Sequence, residues 1–228
     1  MTDRSRLALV VWSVLVSQVF LYPGLDETVA ALGGGGGILA GTWFLVAEFG
    51  AFVVCAVLWG LASDALGVRT PLVVLGAAGG AGSYLAVAVA GGHLGLPFAV
   101  VLLLRVVGGA FNIGAFSLAI TMLMDLSGGH GRNMGAAGTA IGFGAALGAV
   151  VGGQLTAIAP LAPLYGGAVL LAGAAGLAAT VPDRTTAGGL PVGEVVDGVR
   201  ARPTLLVPFA FGYIDRLTAG FFALTGVA

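Results

Sequence analysis

Glu48 and Arg105 are ionisable side chains set inside long apolar runs. A charge in a hydrocarbon environment is costly unless it is paired or faces a wet cavity, so these two are the first candidates for chemistry. A carboxyl group can exchange a proton and a guanidinium cannot, so together they suit proton handling or the binding of a charged solute. Glu48 precedes Asp64 by sixteen positions, about 24 Å of helix, and Arg105 precedes Asp125 by twenty, about 30 Å. The two therefore fall at comparable depth and are expected to meet, either as a structural ion pair or as part of a substrate or proton pathway. Gln18, Asn112 and Gln154, with Trp12, Trp43 and Tyr22, are the polar and aromatic side chains that could line such a pathway. Asp215 and Arg216 lie twelve and thirteen residues beyond Pro203, about 18 Å into a later run, and form a second candidate pair near mid-membrane.

A further set sits where apolar runs end. "GLASDALGVRT", Gly60 to Thr70, is a charged interruption, in which Gly60, Asp64, Gly67 and Arg69 are expected to make a tight turn between a second span ending near Leu61 and a third starting at Pro71. Asp125 closes the fourth span. A carboxylate on each of two helix ends, with an arginine able to bridge them, makes a charge latch whose breaking accompanies a conformational change. The plainer reading is a positively charged loop.

The elements that must position these groups are long apolar helices. The chain is 58% hydrophobic and only 8% charged, against about 25% charged residues in a soluble domain. Its runs read as Leu7 to about Ala31, Leu39 to Leu61, Pro71 to Ala90, Pro97 to Met124, Met134 to Ile158, Leu164 to Val181, and a last run from Thr204. Period-2 alternation is absent and lipid tolerates only helices or closed barrels, so an all-α membrane protein is expected. Pro23 should kink the first helix near its outer end, leaving Asp26 and Glu27 facing water. Gly138, Gly142, Gly144, Gly148 and Gly152 recur mostly four apart and, with Gly153, make a side-chain-free ridge for close helix contact or flexing. "AGGAGS", Ala78 to Ser83, is expected to serve packing.

All nine basic residues are arginine. With the N-terminus inside, Arg4, Arg6, Arg69, Arg132, Arg184, Arg200 and Arg202 share the inner side and no outer loop holds one, as the positive-inside rule requires. The expected location is the plasma membrane, with a cytoplasmic N-terminus. Without lysine no retinal Schiff base can form, and without a basic patch no nucleic acid partner is expected. Cys55 is alone, His93 and His130 fall in opposite loops, and neither GxSxG nor HExxH occurs, so no disulfide, metal, cofactor or enzyme activity is expected.

Gly60-xxx-Asp64-xx-Gly67-x-Arg69, between a second and a third transmembrane helix, resembles the signature of the major facilitator superfamily of secondary transporters. The resemblance implies twelve helices in two six-helix bundles, each a 3+3 inverted repeat, with a cytoplasmic linker after the sixth. On that plan residues 1–181 are the N-terminal bundle, 182–203 the linker and 204–228 the start of the seventh helix. The missing C-terminal bundle is expected in a longer chain. The resemblance also implies that Asp64 and Arg69 latch the outward-open state with the fourth-helix acid, a part that falls to Asp125. "RVVGGAFNIGA", with Arg105 three residues before Gly108, looks like the family's intramembrane arginine motif, associated with proton transfer in proton-coupled members. "GAALGAVVGGQ", Gly144 to Gln154, resembles the drug and proton antiporter motif, with Ala149 where that motif has proline. Proton-coupled export of a small organic or drug-like solute by alternating access is the implied function. Uptake of a sugar or organic anion, and a half-size homodimeric transporter or membrane scaffold, are the alternatives.

Overall fold

The computed structural model describes residues 1–35 and 37–185, together with 197, 200–202 and 204. Asp215, Arg216, most of the expected linker and the last run beyond Thr204 lie outside the described residues. Within them there are seven α-helices and no strand: α1 Asp3–Val19, α2 Leu25–Ala31, α3 Ile38–Leu66, α4 Thr70–Val87, α5 Phe98–Met124, α6 His130–Ile158 and α7 Ala162–Ala178. α4 runs on through a π-helical turn, Ala88–His93. Counted with that turn, α4 joins α3, α5 and α6 as the four helices long and apolar enough to cross a membrane, which points to a membrane protein. α1 and α7 have 17 residues each.

The first expected span is two helices rather than one kinked helix. Pro23 brings no N–H and its ring clashes with the carbonyl four residues back, so α1 stops at Val19 and α2 starts after Gly24. Gly24 has its own reason to be glycine, since a Cβ there would overlap the Thr156 side chain on α6.

The expected Gly60-to-Arg69 turn is also shorter than its motif. α3 continues to Leu66, so Gly60 and Asp64 are helical and only 67–69 turns. The residues Ala62, Ala65 and Leu66 favour helix, and the stop comes from Gly67, left-handed at φ 65°, whose N–H reaches the Ser63 carbonyl at 2.9 Å. Pro71 in the first turn of α4 then fits a position where a missing N–H costs nothing.

α1, α4, α5 and α7 form the centre, each packed on two of the others, while α3 lies along α5 and α6 along α1. Lipid is as apolar as leucine, so close packing of small residues must hold such helices together. Gly144, Gly148 and Gly152 press α6 onto α1; a Cβ at Gly152 would lie 2.6 Å from the Phe20 carbonyl oxygen. Gly153 stands near Pro23, and Gly138 and Gly142, on the ridge's open flank, face nothing within 4 Å. Gly76 sits against the backbone of Phe111 and Ala115, Gly79 against the Phe111 ring and Gly80 against Asn112, so the α4 glycines serve the α4–α5 contact.

Candidate functional site

Glu48 lies on α3 about 6 Å from the helix midpoint, and Arg105 on α5 about 9 Å from its own. The two meet: Arg105 Nη2 donates to Glu48 Oε2, with the side chains 2% and 1% exposed. Their backbones approach because Gly109, one turn after Arg105, has no side chain; a Cβ there would overlap the Glu48 carbonyl. Asn112, two turns from Arg105 on the same face, donates its Nδ2 to Glu48 Oε1 at 3.2 Å. The guanidinium is stacked 4.3 Å from the Phe44 ring centroid and 5.4 Å from that of Tyr84. Tyr84 in turn donates its hydroxyl to the Ser17 carbonyl at 3.2 Å, which ties the cluster to α1.

The cluster keeps spare polar capacity. Among the described residues, Arg105 Nε and Asn112 Oδ1 are buried without a hydrogen-bond partner; Gln18 Nε2, on α1 and not bonded to the pair, is buried likewise. Orphaned polar atoms in a dry interior each cost about 1–3 kcal/mol, so such groups are retained where something polar can reach them. No family model matches the chain, and no curated protein matches it. The chemistry of the site therefore has to be read from its own geometry: a carboxyl able to exchange a proton, a cation that cannot lose one, and unpartnered donors and acceptors beside them.

At the arginine-rich end, Arg69 Nη1 pairs with Asp125 Oδ2, two of the three residues expected in the latch. Asp64 does not join them; it is exposed and has no ion pair or hydrogen bond among the described residues. The acid that does hold this corner is Asp183, at the start of the expected linker. Its Oδ2 accepts the N–H groups of Arg69 and Thr70 at 2.7 and 2.9 Å, capping α4, and its Oδ1 accepts that of Thr185 at 3.0 Å. Partial burial raises the Asp183 pKa, and these hydrogen bonds outweigh it, holding the carboxyl below its ordinary value. An acid five residues past the end of α7 is the only signal the sequence offers.

The cap has a testable pH dependence. A depressed pKa means that the cap stabilises the fold above the ordinary carboxylate pKa of about 3.9 and loses that contribution as pH falls below it. Asp183→Asn is expected to cost about 1 kcal/mol at pH 7, with the difference from the parent protein shrinking on acidification towards pH 3 in thermal unfolding. A difference that stays constant with pH would remove the carboxylate from this role.

The N-terminus fastens the same end. Arg4 donates Nε to Asn133 Oδ1 at 2.8 Å and Nη2 to the Ser127 carbonyl at 2.5 Å, Arg6 reaches the Thr180 carbonyl at 2.9 Å, and Arg184 pairs with Asp3 at 2.6 Å. The opposite end is tied by His93 to Tyr165 at 2.6 Å and by Thr28, whose hydroxyl donates to the Pro160 carbonyl at 2.8 Å. Asp26 stays near water and accepts the Gly37 N–H at 2.6 Å. Of the other pathway candidates, Trp12 and Tyr22 are half-buried, while Trp43 and Gln154 are exposed on the bundle's outer surface.

Proposed function

We propose that this chain is the N-terminal six-helix bundle, with its linker and the start of a seventh helix, of a secondary active transporter of the major facilitator type. It works by alternating access and couples export of a small organic or drug-like solute to protons. The observation that carries this reading is the buried Glu48–Arg105–Asn112 cluster, an ion pair with unpartnered polar atoms held deep in apolar helices. The Arg69–Asp125 pair supports it as a latch between the third and fourth spans.

Helix adjacency supports the three-plus-three repeat. Exchanging α1, α3 and α4 with α5, α6 and α7 turns the α3–α5 contact into α6–α1 and the α4–α5 contact into α7–α1, and leaves α1–α5 and α4–α7 in place. All of these contacts are among the extensive ones in the bundle, as a repeat related by an in-plane two-fold axis requires. The gathering of Arg4, Arg6, Arg69, Arg132 and Arg184 at one end supports a cytoplasmic reading of that end by the positive-inside rule, in keeping with a plasma-membrane protein.

The test is transport by the full-length protein in proteoliposomes with an imposed pH gradient and ethidium as the probe solute. Glu48→Gln keeps the side-chain size and a hydrogen-bond acceptor for Arg105 and Asn112 but cannot take up a proton. Gradient-driven movement is expected to fall at least ~10-fold, the contribution of a positioned proton-transfer group being about 10²–10⁴. If Glu48→Gln assembles normally and retains the pH dependence, the proton-coupling assignment is wrong.

A further inference from the structure

Two neighbouring concavities on the α1–α6 pair have no part in the transport reading. At the arginine-rich end, Arg4, Arg132 and Arg184 line a pocket of about 290 Å³ together with Asp3 and Ser127. Among the described residues Asp3 is the one carboxylate there, and it is occupied by Arg184. Arg4 turns two of its donors onto Asn133 and Ser127. Arg132 has no ion pair or hydrogen bond among the described residues, so the pocket carries uncompensated positive charge.

One helical turn deeper lies an apolar groove of about 460 Å³. The register makes the two continuous: Arg4, Ala8 and Trp12 follow one another at four-residue spacing on α1, and Arg132, Ala136 and Thr139 at four- and three-residue spacing on α6. Phe143 closes the groove at 61% exposure and Leu9 flanks it at 42%, while no residue of α5 or α7 lines it. In a membrane-spanning bundle this groove opens sideways into hydrocarbon, and its charged mouth sits at the headgroup level.

From this continuity we infer that the α1–α6 seam binds an anionic phospholipid of the arginine-side leaflet, its phosphate on Arg132 and Arg4 and one acyl chain in the groove. A soluble anion would use the arginines and leave the groove unfilled. A zwitterionic lipid would fill the groove but bring its own cation to a pocket already positive. Basic pockets between transmembrane helices recognise acidic headgroups by this charge complementarity. The inference rests on the chain spanning a membrane and not on its transporting anything, so it can fail or hold independently of the ethidium experiment.

The test is native mass spectrometry of the detergent-solubilised full-length protein titrated with dioleoyl phosphatidylglycerol, with dioleoyl phosphatidylcholine as the neutral-headgroup control. Phosphatidylglycerol is expected to be retained preferentially. Arg132→Gln, which removes no hydrogen bond or ion pair among the described residues, should weaken it about fivefold, equivalent to about 1 kcal/mol for one arginine near the surface. Gly135→Leu puts a side chain into the groove at a position where a Cβ meets nothing within 4 Å, so the fold should survive and lipid retention should fall. Equal retention of the two lipids, or a preference untouched by Arg132→Gln, would overturn the inference. So would displacement of the lipid by millimolar inorganic phosphate combined with indifference to Gly135→Leu, which would mark a site for free anions.

Discussion

Replacing Arg105 with methionine should be among the most destabilising single changes available in this bundle, costing about 3–5 kcal/mol, because it strands a carboxylate that is 1% exposed. The partner Asn112 supplies one neutral donor to Glu48 and cannot replace the charge. The guanidinium also fills the space between Phe44 and Tyr84, so methionine, of similar length, is chosen over alanine to keep a cavity from adding to the loss. The double variant Glu48→Leu with Arg105→Met is expected to recover most of the stability, since replacing both members of a buried pair with apolar groups of similar volume is often neutral or favourable. SDS-titrated or thermal unfolding of the full-length protein reads both effects. Transport should separate the two explanations of the pair: a purely structural pair predicts that the double variant still moves solute under a pH gradient, whereas a proton-handling pair predicts a stable protein that does not. A single Arg105→Met variant as stable as the parent would show that Glu48 is not held by this cation at all.

The meeting of Glu48 and Arg105 was legible from the sequence because the rise of a helix is constant, so counting residues back from Asp64 and Asp125 gave two similar depths. Asn112 was legible for a related reason, lying seven residues from Arg105 and so on nearly the same face. Azimuth was available too and points against the full latch. Sixteen residues at about 100° each leave Asp64 roughly 160° around α3 from Glu48, so a helix that turns Glu48 inward turns Asp64 away from the bundle. Arg69 escapes this constraint because the turn at Gly67 reorients the chain before it, and it reaches Asp125. Asp183 was not legible, since capping a helix more than a hundred residues earlier in the chain depends on how α7 docks beside α4. The hold of Arg4 on Asn133 is hidden for the same reason, and nothing in "HGRNMG" distinguishes a buried asparagine from a loop one. Apolar helices in lipid carry weak facial patterns, so depth survives in the sequence better than partner choice.

Glycine is where the motif and the packing part company, and one substitution made twice should show it. Gly109→Ala is expected to cost at least about 1–3 kcal/mol, because the added Cβ would overlap the backbone of Glu48 and a backbone cannot swing aside as a side-chain tip can. The lost approach of α5 to α3 also lengthens the reach from Arg105 to Glu48, so the cost should include part of the ion pair. Gly60→Ala sits in the last two turns of α3 with nothing within 4 Å of the new Cβ and should be neutral or gain up to about 1 kcal/mol from better helix propensity. Unfolding measurements on the two single variants check this ordering directly. A stable Gly60→Ala protein that nevertheless transports poorly would mean that Gly60 is needed in a conformation other than this one, where another surface closes on the outer face of α3. A Gly60→Ala protein that is both stable and active would reduce the motif at this position to sequence resemblance, leaving Gly67 and Arg69 as the part of it that the fold uses. Gly109→Ala tolerated without loss would instead contradict the close α3–α5 contact on which the buried cluster depends.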